Sequence, residues 1–190
     1  MNKPDRYDET QLSGEFTPVE LGGHAASIVA LEERETKTGK PMVVVMIDFD
    51  RTDAQAGYFK ESYDNDDRED KKWPYQATQY IVTEDQDGKC SRSFKSFCTA
   101  FESSNNAKIS WGGKDWPKQF IGKKIGVVYG EVEEEYNGEV KTRRRIRWFC
   151  SYSVAAEASV PMKKFLQQTK AAPASTDGFM NLPEEDNVPW

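Results

Sequence analysis

Histidine and cysteine, the residues that build zinc sites and disulfide frameworks, are scarce in this sequence. Its 190 residues contain one histidine, His24, and three cysteines, Cys90, Cys98 and Cys150, with no CxxC pair. This composition does not predict a zinc site or a disulfide framework, and reduced thiols are typical of a cytosolic protein.

Long apolar runs are also missing. No stretch of the sequence approaches the ~18 consecutive apolar residues that a membrane span requires. The first residues, Met1 to Asp5, are polar and charged where a signal peptide would lead into its apolar region. We therefore expect a soluble protein that stays in the cytoplasm.

Catalytic motifs are absent as well. The sequence has no GxxxxGKS/T phosphate loop and no GxSxG motif, and His24 has glycine and alanine neighbours rather than a nucleophile. The acidic run 64–70 does not fit an EF-hand, because Glu69 stands where the loop needs glycine and Tyr75 where it needs a bidentate glutamate. We predict neither an enzyme nor a cofactor or metal.

Charge is unevenly distributed along the chain. Residues 171–190 hold four acids and no lysine or arginine, so most of the net charge of -6 belongs to this tail. Phosphate binding depends on the local field rather than on the total charge. The nearly neutral remainder is therefore compatible with a basic groove for nucleic acid.

The pattern of β-branched and apolar residues predicts a mainly β protein. Strands are predicted at 24–36, 42–49, 57–60, 79–83, 124–136 and 139–154. The turn 36–40 is expected to join the first two strands, and Asn137-Gly138 predicts a two-residue hairpin turn between the last two.

Two helices are expected among these strands. Phe94, Phe97, Cys98 and Phe101 recur at helical spacing and predict a helix that starts near Ser93 and buries one apolar face. A short closing helix is predicted at 161–168.

This order of elements predicts an OB-fold, a five-stranded Greek-key barrel with a helix between strands 3 and 4. The predicted domain spans residues 16–168. An arm, residues 1–15, precedes it, and a flexible linker with an acidic tip, residues 169–190, follows it.

The last predicted strand carries the densest run of cations. Because side chains alternate across a strand, Arg143, Arg145 and Arg147 are expected on one face, over roughly 13 Å. Such a row is suited to pairing with successive phosphates of a single strand. The alternative is a solvated face that the acids of 131–135 neutralise.

The opposite face of this strand is expected to hold Ile146 and Trp148. Aromatic residues interleaved with cations between 58 and 80 form a second signal, since each stacked base contributes ~1–3 kcal/mol. In an OB-fold the loops between strands 1–2 and 4–5 also contact the oligonucleotide. The predicted DNA contacts are Lys37, Lys40, Tyr58, Lys60, Trp73, Tyr75, Arg143, Arg145 and Arg147.

The tail ends in three carboxylates, an asparagine, an aliphatic residue, a proline and a terminal aromatic residue. This tip resembles that of bacterial and phage single-stranded DNA-binding proteins, with Trp190 in place of phenylalanine and Asn187 in place of the last acid. The predicted partner-binding residues are Glu184, Glu185, Asp186, Val188, Pro189 and Trp190.

Internal motifs are similar to those of phage-encoded single-stranded DNA-binding proteins from Gram-positive hosts. These motifs are Tyr58-Phe59-Lys60, Lys72-Trp73-Pro74, Phe94-Lys95-Ser96-Phe97, Phe101-Glu102-Ser103-Ser104-Asn105 and Phe120-Ile121-Gly122-Lys123-Lys124-Ile125-Gly126. The resemblance implies an OB-fold, binding of phage single-stranded DNA during replication and recombination in the host cytoplasm, and a tail that recruits host or phage proteins.

We therefore predict a protein that binds single-stranded DNA without sequence preference and catalyses no reaction. Self-association is left open. The alternative is an acidic protein-binding module that inhibits a host nuclease by DNA mimicry. The two differ in whether Arg143, Arg145 and Arg147 line an open groove or are neutralised by the acids of 131–135.

Overall fold

The computed structural model describes residues 2–5, 7 and 17–166, and most of this chain is β-structure. The strands are β1 (Gly22–Glu35), β2 (Pro41–Phe49), β3 (Thr78–Val82), β4 (Lys124–Tyr136) and β5 (Glu139–Cys150). The α-helices are α1 (Tyr58–Asp64) and α2 (Arg92–Asn105). Short 3₁₀ helices lie at Tyr75–Ala77, Trp116–Phe120 and Tyr152–Glu157.

The five strands form one open antiparallel sheet in the order β3-β2-β1-β4-β5. The central strand β1 pairs with β4 through its first half and with β2 through its second half. A bulge at Val29, which has no partner on β2, separates Ile28 from Ala30. Ala26 and Ser27, shortly before the bulge, pair with both neighbours, and the bulge increases the local twist of β1 just beyond them.

Both predicted hairpins are confirmed. Gly39 takes a φ of 76° in the turn between β1 and β2. Asn137 and Gly138 have φ values of 53° and 78° between β4 and β5, and two positive values are what a two-residue hairpin turn requires.

One face of the sheet and the apolar face of α2 enclose the core. Alternate residues of the strands point into it, as their period of two dictates. The largest fully buried side chains in this region are Tyr129, Phe59, Phe97, Phe120, Ile28, Ile47 and Ile125. The predicted helix over residues 94–101 is confirmed, but its N-cap is Ser91, whose Oγ accepts a hydrogen bond from the Phe94 amide at 3.1 Å.

The predicted strand at 57–60 is wrong, because this segment begins helix α1. The buried carboxylate of Asp48 at the end of β2 accepts hydrogen bonds from the Phe59 amide at 3.0 Å and the Lys60 amide at 3.4 Å. These amides have no partner within the first turn of a helix. The side chain of Asp48 on β2 therefore caps α1, and no local sequence pattern predicts this contact.

A bulge in β5 changes the predicted alternation of its side chains. Val128 pairs with Trp148 and Tyr129 pairs with Ile146, which leaves Arg147 as an extra residue without a partner on β4. Ile146 and Phe149 are both buried, whereas Trp148 is 44% exposed. The expectation that Trp148 shares the face of Ile146 is therefore wrong, since the extra residue interrupts the period of two.

The chain after β5 also departs from the predictions. The strand ends at Cys150 rather than Val154, and the 3₁₀ helix Tyr152–Glu157 follows. The predicted helix at 161–168 is wrong within its described part, because Lys164 forms a parallel bridge with Val132. The Lys164 amide donates to the Glu131 carbonyl, and the Glu133 amide donates to the Lys164 carbonyl, both at 2.9 Å.

Glycines let the 3₁₀ helix Tyr152–Glu157 approach the outer face of the sheet. A Cβ at Gly23 would lie 1.7 Å from the Ala155 carbonyl oxygen, and one at Gly126 would lie 2.7 Å from the Ser151 carbonyl oxygen. Only a residue without a side chain permits such contact. Both faces of the β1–β4 pair are therefore covered.

No helix in the described ranges is both long and apolar enough to cross a membrane. The predicted partner-binding tip, residues 184–190, and most of the predicted N-terminal arm lie outside the described residues.

Candidate nucleic-acid interface

An open cleft of ≈ 300 Å³ lies between β3 and β5, the two edge strands of the sheet. We call it the Tyr75 cleft. Its lining residues are Tyr75, Thr78, Gln79, Tyr80, Val132, Glu134, Arg145, Ile146, Arg147 and Lys164. Three of the nine residues predicted to contact DNA, namely Tyr75, Arg145 and Arg147, meet here.

Two tyrosines form the aromatic part of the cleft. Tyr75 is 56% exposed and Tyr80 is 46% exposed. Their ring centres lie 6.2 Å apart at an angle of 39°. Exposed rings with such spacing offer stacking surfaces for unpaired bases, since every base has a π-face.

Arg145 spans the cleft from β5 to Tyr75. Its guanidinium carbon lies 4.1 Å from the centre of the Tyr75 ring. Its Nε and Nη2 donate to the two carboxylate oxygens of Glu134, each at 2.7 Å. This bidentate hydrogen bonding from Arg145 lowers the pKa of Glu134 below its ordinary value. These contacts hold the Arg145 guanidinium over the Tyr75 ring, and the Glu134 carboxylate balances its charge.

Two further cations line the cleft. The bulge at Arg147 lets its Nη1 donate to the carbonyl of Met162 at 2.9 Å. Lys164 is exposed on the segment that bridges to β4. Neither residue forms an ion pair within the described part of the chain. Both charges are thus available to an anion.

Arg143 is exposed near the cleft but does not line it. Its charge contributes, after hydrogen bonding and the charge of Arg145, to the lowered pKa of Glu134. The neighbouring Arg144 instead donates to the carbonyl of Val19 and ties the β4–β5 hairpin to the start of the domain.

The cations predicted on the loop between the first two strands lie where the sequence places them. Lys37 is exposed and Lys40 is half-buried in the β1–β2 turn. The Lys40 amide donates to the Thr36 hydroxyl at 3.0 Å, which orders the turn. Neither lysine lines the Tyr75 cleft.

Two of the aromatic residues predicted to contact DNA pack toward the core. The Tyr58 hydroxyl donates to the Thr17 carbonyl at 2.7 Å, and its ring stands edge-on to Phe59. The Trp73 indole donates to the Ile47 carbonyl at 3.0 Å, and its ring lies 5.4 Å from that of Tyr63. Hydrogen-bonded rings of this kind hold the segment between β2 and β3 against the sheet.

Lys60 also has a local partner. It is exposed on α1, where its ammonium group lies 2.5 Å from the Asp64 carboxylate one turn later. The acidic run that follows is solvated, and Arg68 pairs within it to Asp66. Exposed pairs of this type are worth little in stability, so Lys60 can exchange its partner for a phosphate.

The cleft also contains an exposed ring, Tyr80, and a cation, Lys164, that are not among the predicted DNA contacts. Tyr80 lies in the aromatic-rich region and is exposed on a short edge strand, but nothing in the pattern separates it from a core ring. Lys164 reaches the cleft only because residues after the last strand return to β4. Local periodicity carries no signal for that return.

No protein-family model matches the chain, and no curated protein is significantly similar to it. A function therefore has to rest on the residues of the cleft.

Proposed function

We propose that the protein binds single-stranded DNA without sequence preference and that the Tyr75 cleft is its centre. The observation that carries the proposal is the Tyr75–Tyr80 pair, with Arg145 over Tyr75 and with Arg147 and Lys164 at the same cleft. Rings beside cations are the combination that sequence-independent binding of an unpaired strand requires.

The topology supports an OB-fold as the framework for this site. β1 pairs with both β2 and β4, and α2 lies in the chain between β3 and β4. The Tyr129 hydroxyl on β4 donates to the Gln76 carbonyl before β3 at 2.8 Å, and Arg145 on β5 lies over Tyr75. These contacts bring the two edges of the open sheet together, as in a partly open barrel.

The distribution of charge favours DNA binding over DNA mimicry. Among the acids of 131–135, Glu134 pairs with Arg145 and Glu133 pairs with Lys163. Within the described residues, Arg143 and Arg147 have no carboxylate partner. A nuclease inhibitor that imitates DNA would present carboxylates at this surface, whereas the Tyr75 cleft presents cations and rings.

In the proposed role the domain coats unpaired DNA in the cytoplasm during phage replication and recombination. The acidic tip, residues 184–190, recruits other replication or recombination proteins.

The test is a titration of a fluorescently labelled oligo-dT with the full-length protein, followed by anisotropy. We expect much tighter binding to the single strand than to a duplex of the same length. The logarithm of the affinity should fall with the logarithm of the salt concentration with a slope of about -2 to -4, at ~0.7 per phosphate. Equal affinity for duplex, or no dependence on salt, would contradict the proposal.

Matched variants inside and outside the Tyr75 cleft test where the single strand binds. Tyr75→Leu and Tyr80→Leu each remove one exposed ring and should weaken binding about fivefold or more, given the stacking contribution of a base. Trp111→Ala removes a ring that is 63% exposed but outside the Tyr75 cleft, so it should leave the affinity unchanged. The reverse ranking of these variants would place the strand elsewhere.

A further inference from the structure

A second open cleft, of ≈ 450 Å³, lies outside the proposed DNA site. It opens between the β1–β2 hairpin, the start of α2 and the loop before the 3₁₀ helix Trp116–Phe120. We call it the Trp111 cleft. Its lining residues are Glu33, Val43, Thr83, Glu84, Gly88, Cys90, Phe94, Trp111, Gly112, Gly113 and Trp116.

Trp111 forms an aromatic wall of this cleft that solvent reaches. Its side chain is 63% exposed, although a tryptophan buries more apolar area than any other residue when it packs. Its ring lies 5.8 Å from that of Trp116 at an angle of 24°, and 6.2 Å from Phe94 in an edge-on arrangement. The packing holds the ring in place and leaves much of it open.

Trp116 supplies a polar group that lacks a partner. The residue is only 7% exposed, and its indole Nε1–H is buried without a hydrogen bond among the described residues. A buried donor that makes no hydrogen bond is destabilising, so such groups are rare without a functional reason. Because Trp116 lines the cleft, a carbonyl oxygen of a bound peptide is the kind of group that can satisfy this donor.

The charges of the cleft are of one sign. Glu33 on β1 and Glu84 after β3 are exposed and form no ion pair within the described part of the chain. No lysine, arginine or histidine lines the cleft. These carboxylates would repel the phosphates of a nucleic acid strand and attract a cation.

We propose that the Trp111 cleft binds an arginine side chain of a partner protein. The planar guanidinium stacks on the Trp111 ring, and the carboxylates of Glu33 and Glu84 pair with its N–H groups. A backbone carbonyl of the same peptide accepts the hydrogen bond from the Trp116 indole. The inference goes beyond DNA binding, because it assigns a second surface to protein recognition.

Arginine suits the cleft better than the other ligands that its chemistry admits. A lysine ammonium is a compact charge that does not stack over a ring as a flat group. A nucleobase of a DNA strand stacks equally well, but the phosphates of that strand would approach the carboxylates of Glu33 and Glu84. The charge of the cleft therefore selects an arginine-bearing peptide.

The test uses ¹H–¹⁵N spectra of the full-length protein, in which each of the five tryptophans gives a separate indole signal. The probes are N-acetyl-arginine amide and its uncharged analogue N-acetyl-citrulline amide. We expect the arginine probe to shift the indole signals of Trp111 and Trp116 in a saturable manner while that of Trp73 stays in place. The citrulline probe should bind more weakly.

Charge variants give the matched control. Glu33→Gln and Glu84→Gln should each weaken binding of the arginine probe by up to about fivefold, the upper range for an exposed ion pair. Glu35→Gln, which neutralises an exposed acid outside the cleft, should not.

Three outcomes would overturn the proposal. Deoxyadenosine could shift these indole signals where the arginine probe does not, which would make the cleft a base site. Arginine and citrulline probes could bind equally, or neither could bind. The last two results leave DNA binding at the Tyr75 cleft unaffected, because that proposal is tested separately by Tyr75→Leu and Tyr80→Leu.

Discussion

Arg145 on β5 lies over the ring of Tyr75, just before β3, across the gap between the two edges of the sheet, with 4.1 Å between the guanidinium carbon and the ring centre. Glu134 holds the other edge of the guanidinium through two hydrogen bonds. The same side chain thus spans the gap between β3 and β5 and forms part of the proposed DNA site. Its pairing with Glu134 determines how much charge it offers to a phosphate.

Substitution of Glu134 should therefore strengthen DNA binding. Glu134→Gln removes a carboxylate from the cleft and releases the charge of Arg145. We expect affinity for oligo-dT to rise about two- to fivefold at low salt, and the salt slope to steepen by ~0.7 for one added phosphate contact. Anisotropy titrations at several salt concentrations measure both. Glu61→Gln, a change to an exposed acid on α1, is the control. A weaker affinity in Glu134→Gln would show that orientation of Arg145 matters more than its charge.

Asp48 should be important for stability despite its distance from the cleft. Asp48→Ala leaves the Phe59 and Lys60 amides without their acceptor, and we expect a loss of about 1–2 kcal/mol in the free energy of unfolding. Asp64→Ala removes only an exposed ion pair with Lys60 and should cost less than ~0.5 kcal/mol. Urea unfolding of both variants tests the comparison. Similar losses would mean that the Asp48 carboxylate does not cap α1.

His24, the only histidine in the chain, should make stability depend on pH. Burial alone would lower its pKa, but the hydrogen bond and charge of Asp53, 3.0 Å away, raise the pKa above its ordinary value. Burial would likewise raise the pKa of Asp53, but hydrogen bonds from His24 and the Gln55 amide lower it. The pair thus stabilises the charged form of both groups.

The sign of the effect follows by linkage. A raised histidine pKa contributes stability that is fully present below the unfolded value of about 6.5 and is lost as pH rises through the folded pKa. A lowered aspartate pKa contributes stability above about 3.9 that is lost as pH falls through its folded pKa. We expect thermal unfolding to show the greatest contribution of the pair between these values. His24→Gln should remove most of the decline above pH 6.5, and an identical decline in both proteins would refute the assignment.

The three thiols should differ sharply in reactivity. Burial raises the pKa of Cys98 to about 12 and also raises that of Cys150, whereas Cys90 is exposed. Because the thiolate is the reactive form, a disulfide reagent at pH 8 should modify one thiol quickly in the folded protein. Mass spectrometry should locate it at Cys90, and Cys90→Ser should abolish the fast phase. Equal rates at Cys98 would mean that α2 opens readily.

Much of the sheet could be predicted because local chemistry determines it. The bounds of β4 agree with the predicted 124–136, since Asn137-Gly138 ends it with a specific turn. The β1–β2 hairpin and α2 were predicted for similar reasons. Helix α1 is not predicted, because the carboxylate that caps its first turn belongs to Asp48 on β2, outside the local sequence of the helix.

The candidate site was less predictable than the fold. Tyr75 and Arg145 were expected to contact DNA, but sequence alone gives no register across the gap between β3 and β5. The inward packing of Tyr58 and Trp73 depends on hydrogen bonds to Thr17 and Ile47, which are remote in the chain. The predicted alternation of side chains along β5 fails at Arg147, because nothing in a run of arginines predicts a bulge.

Arg147, the unpaired residue of the bulge, allows β5 to tolerate the deletion of one residue. Deletion of one residue normally turns every later core side chain of a strand toward solvent. Without Arg147, however, Ile146 and Trp148 would become consecutive and face Tyr129 and Val128 in an unbroken ladder, with Phe149 still directed inward. β5 can therefore lose Arg147 while each later side chain of the strand still faces the core or solvent as before.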